Sequence, residues 1–202
     1  NNLEFDHADI FADLGAIQRQ FHHLVRCVPG EGQIIHQHQV PAIDDTLAMG
    51  CWSATASFGI GADCGAGWRA QLLVADGSSF SLQRAEEPAV QVKWPYCGRH
   101  NVENALAAVA AAHHVGVTPE IAAAALAEFS GVKRRLELIG SVAEIAVYDD
   151  FAHHPTAIAT TLQGLRARAG NGRVIALVEP RSNTMRMGRH REQLARATRE
   201  AD

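Results

Sequence analysis

The sequence is poor in lysine, which excludes one common kind of phosphate site. Among 202 residues only Lys93 and Lys133 are lysines, and neither lies in a Gly-Lys-Ser/Thr setting. A Walker phosphate-binding loop needs that setting, because its lysine amine contacts the β- and γ-phosphates. Any nucleotide site built from these residues alone lacks that lysine.

Cysteine pairs, long apolar runs and excess basic charge are also absent. The four cysteines form no Cys-x-x-Cys pair, which argues against a zinc knuckle or a redox dithiol, so we expect reduced thiols in a cytoplasmic protein. No apolar run approaches the roughly 18 residues that span a bilayer. The net charge of −4 offers no basic surface for nucleic acid or anionic lipid. We therefore expect neither a membrane nor a nucleic acid as partner.

The first half of the chain predicts a helix followed by a sheet. Five apolar residues within residues 8–26 recur at spacings of three and four, which predicts one face of an amphipathic helix: Ile10, Leu14, Ile17, Phe21 and Leu24. Residues 33–94 contain short β-prone runs separated by glycine and proline. Asp76-Gly77 is a turn signal between two of these runs. We expect several strands of a mixed or antiparallel sheet here.

Helices are predicted again from Asn101. The alanine-rich run from Asn101 ends at Gly116, a typical C-cap residue, and Thr118 and Pro119 suit the start of a second helix. A short connector near residues 129–132 follows. We therefore predict two domains, residues 1–129 and residues 130–202.

The last third reads as strand, helix, strand, helix. The strands are predicted at residues 143–150 and 173–180, with a helix opening at Pro155 between them. This βαβ pattern predicts a parallel sheet and an α/β fold. Ligands bind beyond the carboxyl ends of such strands, so we expect Asp149–Asp150 and Glu179–Arg181 to share one edge. The alternative is that the two aspartates merely cap the following helix.

Three further groups of polar residues suggest ligand chemistry. Glu4, Asp6 and His7 precede a helix and suit Mg²⁺ or Mn²⁺, although Asp6 also suits an N-cap. Asn101 and Asn104 share one helical face beside His100, where amides can read a nucleobase edge or simply cap the helix. Arg134 and Arg135 suit phosphate or carboxylate, and a solvated charge run is the alternative.

The histidine pairs are weaker signals. His22–His23 and His113–His114 fall within predicted helices, where adjacent residues point about 100° apart and rarely share a ligand. His153–His154 is better placed, in a loop beside Asp149 and Asp150. A metal hydrolase built on these four residues remains an alternative, but it needs ligands from distant segments.

Four stretches occur in one order along the chain: NLEFDH, GRHNVENALAA, GVKRRLE and DDFAHHP. Together they resemble the ATP-dependent Mur ligases of bacterial cell-wall synthesis. Phe151 replaces the tyrosine that is usual in the last stretch. The resemblance implies a partial central ATPase domain with a mixed sheet and helices, followed by a partial Rossmann-like C-terminal domain.

The resemblance also implies nucleotide-side roles. His7 matches a Mg²⁺ ligand near the γ-phosphate. Asn101 and Asn104 match positions near the adenine of ATP, with His100 beside them. Arg135 matches the connector arginine that reaches the ATP phosphates, and Asp150 matches the aspartate linked to the ribose and to the closed state. These two residues are the expected catalytic residues.

On the acceptor side, the resemblance places Arg181, Ser182 and Asn183 where an incoming peptide is expected, and His153 is a further substrate-side candidate. The stretch LVEPRSNTMRMG is similar to one branch of the family, used in peptidoglycan recycling. That branch joins UDP-N-acetylmuramate to L-alanyl-γ-D-glutamyl-meso-diaminopimelate through an acyl-phosphate.

Two alternatives remain beside that branch. One is the branch that adds a single L-alanine, and the other is a non-catalytic nucleotide-binding module derived from a ligase. The chain starts within a motif and stops within helical sequence. We therefore expect a piece of a longer ligase whose P-loop and UDP-binding domain lie outside it, and which is inactive alone.

Overall fold

The computed structural model describes all 202 residues. Residues 1–129 contain four helices and a five-stranded sheet. In chain order these are α1 Leu14–Val25, β1 Gln33–Gln37, α2 Pro41–Ala48, β2 Ala54–Ile60, β3 Trp68–Leu72, β4 Ser79–Arg84, β5 Val90–Lys93, α3 Arg99–His114 and α4 Pro119–Glu128. The remainder contains β6 Glu137–Val142, β7 Ile145–Asp149, α5 Pro155–Ala169, α6 Asn183–Arg186 and α7 Arg191–Ala197. None of the helices is both long and apolar enough to cross a membrane.

The large sheet is mixed, as predicted. Its strand order is β1-β2-β3-β4-β5, with parallel pairing from β1 to β3 and antiparallel pairing from β3 to β5. The predicted turn lies between β3 and β4, where Gly77 adopts φ +82° and its N–H donates to the Val74 carbonyl at 3.0 Å. A positive φ suits glycine, because it has no Cβ to clash with the backbone.

Helix α3 covers this sheet and completes the main core. Val102, Leu106 and Val109 on its inner face are almost fully buried, and they belong to the same apolar cluster as Phe58 and Phe80 of the strands. The alanines between them keep the helix surface small, so α3 can lie close to the sheet. Its first turn therefore has a fixed position relative to the strand ends.

Helix α1 differs in part from its prediction. It begins at Leu14, where the Asp13 carboxylate accepts a hydrogen bond from Ala16 N–H at 2.7 Å. Ile17 and Val25 are buried, but Phe21 and Leu24 of the predicted apolar face are exposed. Of the five predicted residues only Ile17 is buried, because Ile10 lies before the helix and is exposed and Leu14 is half-buried.

The predicted parallel pairing in the last third is wrong. Strand β7 pairs antiparallel with β6, a strand missing from the prediction, and residues 173–180 form no strand. The two strands are joined by Ala143 and Glu144, both with positive φ, so a hairpin forms between neighbours in sequence. Ile175 and Leu177 are 65% and 96% exposed, because no strand of this chain lies beside them.

Candidate functional site

The segments singled out in the sequence meet where the N-terminal residues lie against the C-terminal region. Ala8 N–H donates to Thr184 Oγ1 at 3.1 Å, and Asn183 Nδ2 donates to Asp9 Oδ2 at 2.8 Å. Thr156 Oγ1 donates to Glu4 Oε2 at 2.5 Å. Residues about 150 to 180 positions apart in the chain thus form one continuous polar interface.

Asp150 ties the end of β7 to the connector. Its carboxylate accepts the backbone N–H groups of Leu136 and Ala152, each at 2.7 Å. Helix α5 is capped instead by His154, whose ring accepts from Thr156 N–H. The capping alternative for Asp149–Asp150 is therefore wrong. A carboxylate has about four acceptor positions, so Asp150 keeps capacity for further donors.

The two connector arginines have different surroundings. Arg134 and Arg135 both lie over the Phe151 ring, with guanidinium carbons 5.2 and 5.7 Å from its centroid. Arg134 also pairs with Asp149 at 3.1 Å, whereas Arg135 forms no ion pair. Arg135 therefore presents an uncompensated positive charge on an aromatic support.

His100 contributes a nitrogen atom that no group in the chain satisfies. Its Nδ1 is buried and has no hydrogen-bond partner. Burial lowers the pKa of His100, and the nearby Arg135 lowers it further, while Asp150 opposes this effect. The ring is therefore neutral near pH 7 and can donate or accept one further hydrogen bond.

Asn101 and Asn104 each use only one of their two polar side-chain atoms in a hydrogen bond. Asn101 Nδ2 donates to the Cys97 carbonyl at 2.7 Å, and Asn104 Oδ1 accepts from the side chain of Asn1. Asn101 retains a free amide oxygen and Asn104 a free amide nitrogen. Together they offer one acceptor and one donor on the same helical face.

No group of three or more His, Cys, Asp or Glu side chains converges anywhere in the structure to hold a metal ion. The residues present therefore do not form a Mg²⁺ site by themselves. His7 is exposed, with φ +53°, and next to it Asp6 accepts the His7 N–H at 2.8 Å. Burial alone would raise the pKa of Asp6, but hydrogen bonds from Thr184 and His7 and the charges of His7 and His154 lower it.

The expected peptide-side residues are unequally available. Ser182 caps α6 by accepting from Met185 N–H at 3.3 Å, and Asn183 is bonded to Asp9. Arg181 is 84% exposed, with only Glu179 at 4.0 Å. His153 lies 3.8 Å from Asp6 and edge-on to Phe151. Arg181 alone among these side chains lacks a close partner.

The sequence analysis missed Glu103. Gln37, at the carboxyl end of β1, donates to Glu103 Oε1 at 3.0 Å. Burial raises the pKa of Glu103, although Arg99 and the N-terminal amine lower it. Its position three residues after His100 on α3 was a signal that could have found it.

Two family models match the chain. A model of the Mur ligase middle domain matches residues 1–112, and one described as the Mur ligase glutamate ligase domain matches residues 134–202. The predicted boundary near residues 129–132 lies between the two matches and stays a prediction.

Individual relatives agree with these matches. The chain is 51% identical over 203 residues to an Escherichia coli UDP-N-acetylmuramate–L-alanyl-γ-D-glutamyl-meso-2,6-diaminoheptandioate ligase. It is 32% identical over 179 residues to a UDP-N-acetylmuramate–L-alanine ligase from Desulfitobacterium hafniense, covering 89% of this chain and 39% of that protein. The first match covers all of this chain but only 44% of the E. coli protein.

A solved structure gives the same result for the fold. A murein peptide ligase from Psychrobacter arcticus superposes with a TM-score of 0.68 at 47% identity, covering all of this chain and 41% of that one. The predicted mixed α/β architecture is therefore that of the relatives.

Proposed function

The chain belongs to the Mur ligase family, and from this we propose that it forms part of an ATP-dependent ligase. The proposed reaction joins UDP-N-acetylmuramate to the tripeptide L-alanyl-γ-D-glutamyl-meso-diaminopimelate, in peptidoglycan recycling. The observation that carries the proposal is 51% identity to a relative named for these substrates, against 32% to one named for L-alanine. We place the reaction in the cytoplasm.

The proposed reaction has two steps. A carboxylate of UDP-N-acetylmuramate takes up the γ-phosphoryl group, which gives an acyl-phosphate and ADP. The amine of the tripeptide then attacks the acyl carbon, phosphate leaves with the bonding electrons, and the amine loses a proton. Neither step needs a side-chain nucleophile, so the protein contributes mainly by positioning and by neutralising charge.

The residues of this chain suit the part of the proposed site that would bind ATP. Arg135, free of ion pairs, would neutralise phosphate charge, and the neutral His100 ring would offer its unsatisfied nitrogen. The free amide groups of Asn101 and Asn104 would face the adenine edge. Asp150 would hold the connector and accept from a ribose hydroxyl.

Mg²⁺ enters the proposal only as a cofactor of the whole protein. His7 would be one ligand, and the others would come from outside these residues, since none converge beside it. On the peptide side, Arg181 would attract a substrate carboxylate. Ser182, Asn183 and His153 would shape that region, because each already has a partner in the structure.

A ligation assay tests the proposal. The sequence extended to the length of its relatives would receive ATP, Mg²⁺, UDP-N-acetylmuramate and either the tripeptide or L-alanine. We expect phosphate release and product with the tripeptide in preference to L-alanine. Preference for L-alanine would contradict the substrate assignment, and absence of ATP use would favour the non-catalytic module. Residues 1–202 alone serve as the control and should release no phosphate, because they contain no Gly-Lys-Ser/Thr sequence.

A further inference from the structure

Helix α5 approaches the backbone at Gly98, the residue that precedes α3. Gly164 lies on the buried face of α5, and a Cβ placed there would be 2.8 Å from Gly98 Cα and 2.9 Å from Gly98 N. Both atoms belong to the main chain, so they cannot move aside as a flexible side chain could. The close approach of the two segments therefore requires glycine at position 164.

Gly98 is constrained from its other sides as well. It has φ +95°, and a Cβ there would lie 2.5 Å from Cε1 of His100. Its N–H donates to the Asp76 carbonyl at 2.7 Å, and its carbonyl accepts from Asn101 N–H at 3.1 Å. A shift of Gly98 would therefore move the first turn of α3, which carries His100 and Asn101.

Arg168, one helical turn after Gly164, holds α5 against the same loop. Its Nε lies 3.3 Å from Asp76 Oδ2, and its terminal nitrogen donates to the Pro95 carbonyl at 2.8 Å. Burial would raise the pKa of Asp76, but hydrogen bonds from Ser78 and Arg168 lower it. Asp76 thus links the two regions, with its carboxylate bonded to Arg168 and its carbonyl to Gly98.

We propose that Gly164 and Arg168 are positioning residues, which set the first turn of α3 for nucleotide binding when α5 docks on Gly98. The reference to nucleotide rests on the proposed function, whereas the docking does not. In this arrangement the C-terminal region supplies Arg135 and Asp150 and also orients the asparagine-bearing helix of the other region. Undocking α5 would therefore alter the site on both sides.

A native thiol reports the docking directly. Cys97 is 1% exposed and is the only buried cysteine of the four. A Cβ on Gly164 would lie 3.4 Å from its carbonyl carbon, and both Arg168 and Asp76 act electrostatically on its thiol. Undocking of α5 should therefore expose Cys97 to a maleimide, with labelling quantified by peptide mass spectrometry.

Arg168→Ala removes the ion pair and the bond to Pro95. We expect Cys97 to be labelled roughly tenfold faster, the factor that corresponds to losing one charge-assisted hydrogen bond. Arg168→Lys keeps the charge without the planar fork and should give an intermediate rate. Gln163→Ala, an exposed substitution on the same helix, is the control and should leave the rate unchanged.

Gly164→Ala separates docking from folding. Alanine favours the helix itself, yet its Cβ would collide with Gly98, so far-UV circular dichroism should be retained while Cys97 labelling accelerates. The Cε1–H NMR signal of His100, whose ring packs on Gly98, should shift in the Arg168→Ala and Gly164→Ala variants and not in Gln163→Ala. A merely structural role of α5 would not move that signal.

Unchanged labelling and an unchanged His100 signal in both variants would overturn the inference, as would equal acceleration in Gln163→Ala. All of these measurements are made without nucleotide on the ligase extended to the length of its relatives. A negative result here therefore leaves the proposed ligase activity untouched. Failure of the ligation assay would, in turn, leave the docking result standing.

Discussion

Arg135 lies over the ring of Phe151 with its guanidinium carbon 5.7 Å from the ring centroid, and no carboxylate pairs with it. Its neighbour Arg134 lies over the same ring but is also bound to Asp149. Two adjacent arginines of the same chemistry therefore have separable tasks. One stabilises the start of the C-terminal region, and the other is available to a ligand.

Substitution of these two arginines should separate the tasks. In the ligase extended to full length, Arg135→Ala should lower ATP-dependent turnover by about 100-fold or more, the usual effect of removing one group that stabilises transition-state charge. Arg134→Ala removes an exposed ion pair and a contact with the Phe151 ring, and it should cost about 1 kcal/mol of stability with little effect on turnover. Steady-state kinetics and urea unfolding measure both. Equal kinetic losses in the two variants would contradict the assignment.

Asp150→Ala should destabilise the folded chain. It leaves the N–H groups of Leu136 and Ala152 without their acceptor, which costs about 1–3 kcal/mol for partly buried donors. Asp150→Asn keeps one acceptor oxygen and should recover part of the loss. The unfolding midpoint in urea provides the measurement for residues 1–202. A loss below about 0.5 kcal/mol for alanine, typical of surface sites, would show that these bonds are not formed.

Because of His100, the free energy of unfolding should decrease at acidic pH. Burial lowers its pKa in the folded chain, so the unfolded chain binds the proton more readily, and stability rises with pH in that range. The neutral His100 ring makes its full contribution to stability above the unfolded pKa of about 6.5, and this contribution is lost as pH falls below that value. Urea midpoints at several pH values from 5 to 8 should show this dependence weakened in His100→Gln. His114→Gln, at an exposed position of the same helix, should keep it.

Two leucines with opposite exposure test where the hydrophobic core lies. Leu106 is 0% exposed in the main cluster, so Leu106→Ala should cost about 2–5 kcal/mol of unfolding free energy. Leu177 is 96% exposed, and Leu177→Ala should change it by less than about 0.5 kcal/mol. Calorimetric or urea unfolding distinguishes them. A comparable loss at Leu177 would mean that residues 173–180 are packed against another surface in solution.

Short sequence patterns predicted the helices and turns that are determined by neighbouring residues. The starts of α4 and α5 follow from proline and the residue before it, and the turn at Gly77 follows from its Asp-Gly sequence. The mixed sheet and the helices α1, α3 and α4 were therefore predictable, whereas α2, within the region expected to form strands, was not predicted. Pairing in the last third was not, because the left-handed turn at Ala143 and Glu144 allows a hairpin that no periodicity indicated.

The candidate site was likewise only partly predictable from the sequence. The motifs predicted which residues matter to a family of ligases, but they could not predict contacts such as Thr184 with Ala8, which join distant parts of the chain. Nor could they show that Arg134 is paired while Arg135 is free, since this depends on the position of Asp149 in the folded hairpin. The spacing of Glu103 from His100 is visible in the sequence, but its partial burial and its hydrogen bond from Gln37 are properties of the packed structure.

The contact between Asn1 and Asn104 has a practical consequence for protein engineering. The Asn1 side chain donates to Asn104 Oδ1, so the first residue lies against helix α3. Any polypeptide joined to Asn1, including an affinity tag, must begin beside the amides that the nucleotide site is proposed to use. A tag at Asp202 avoids this crowding at the site, although the Asp202 carboxylate is bonded to Arg166 and needs a flexible spacer after it.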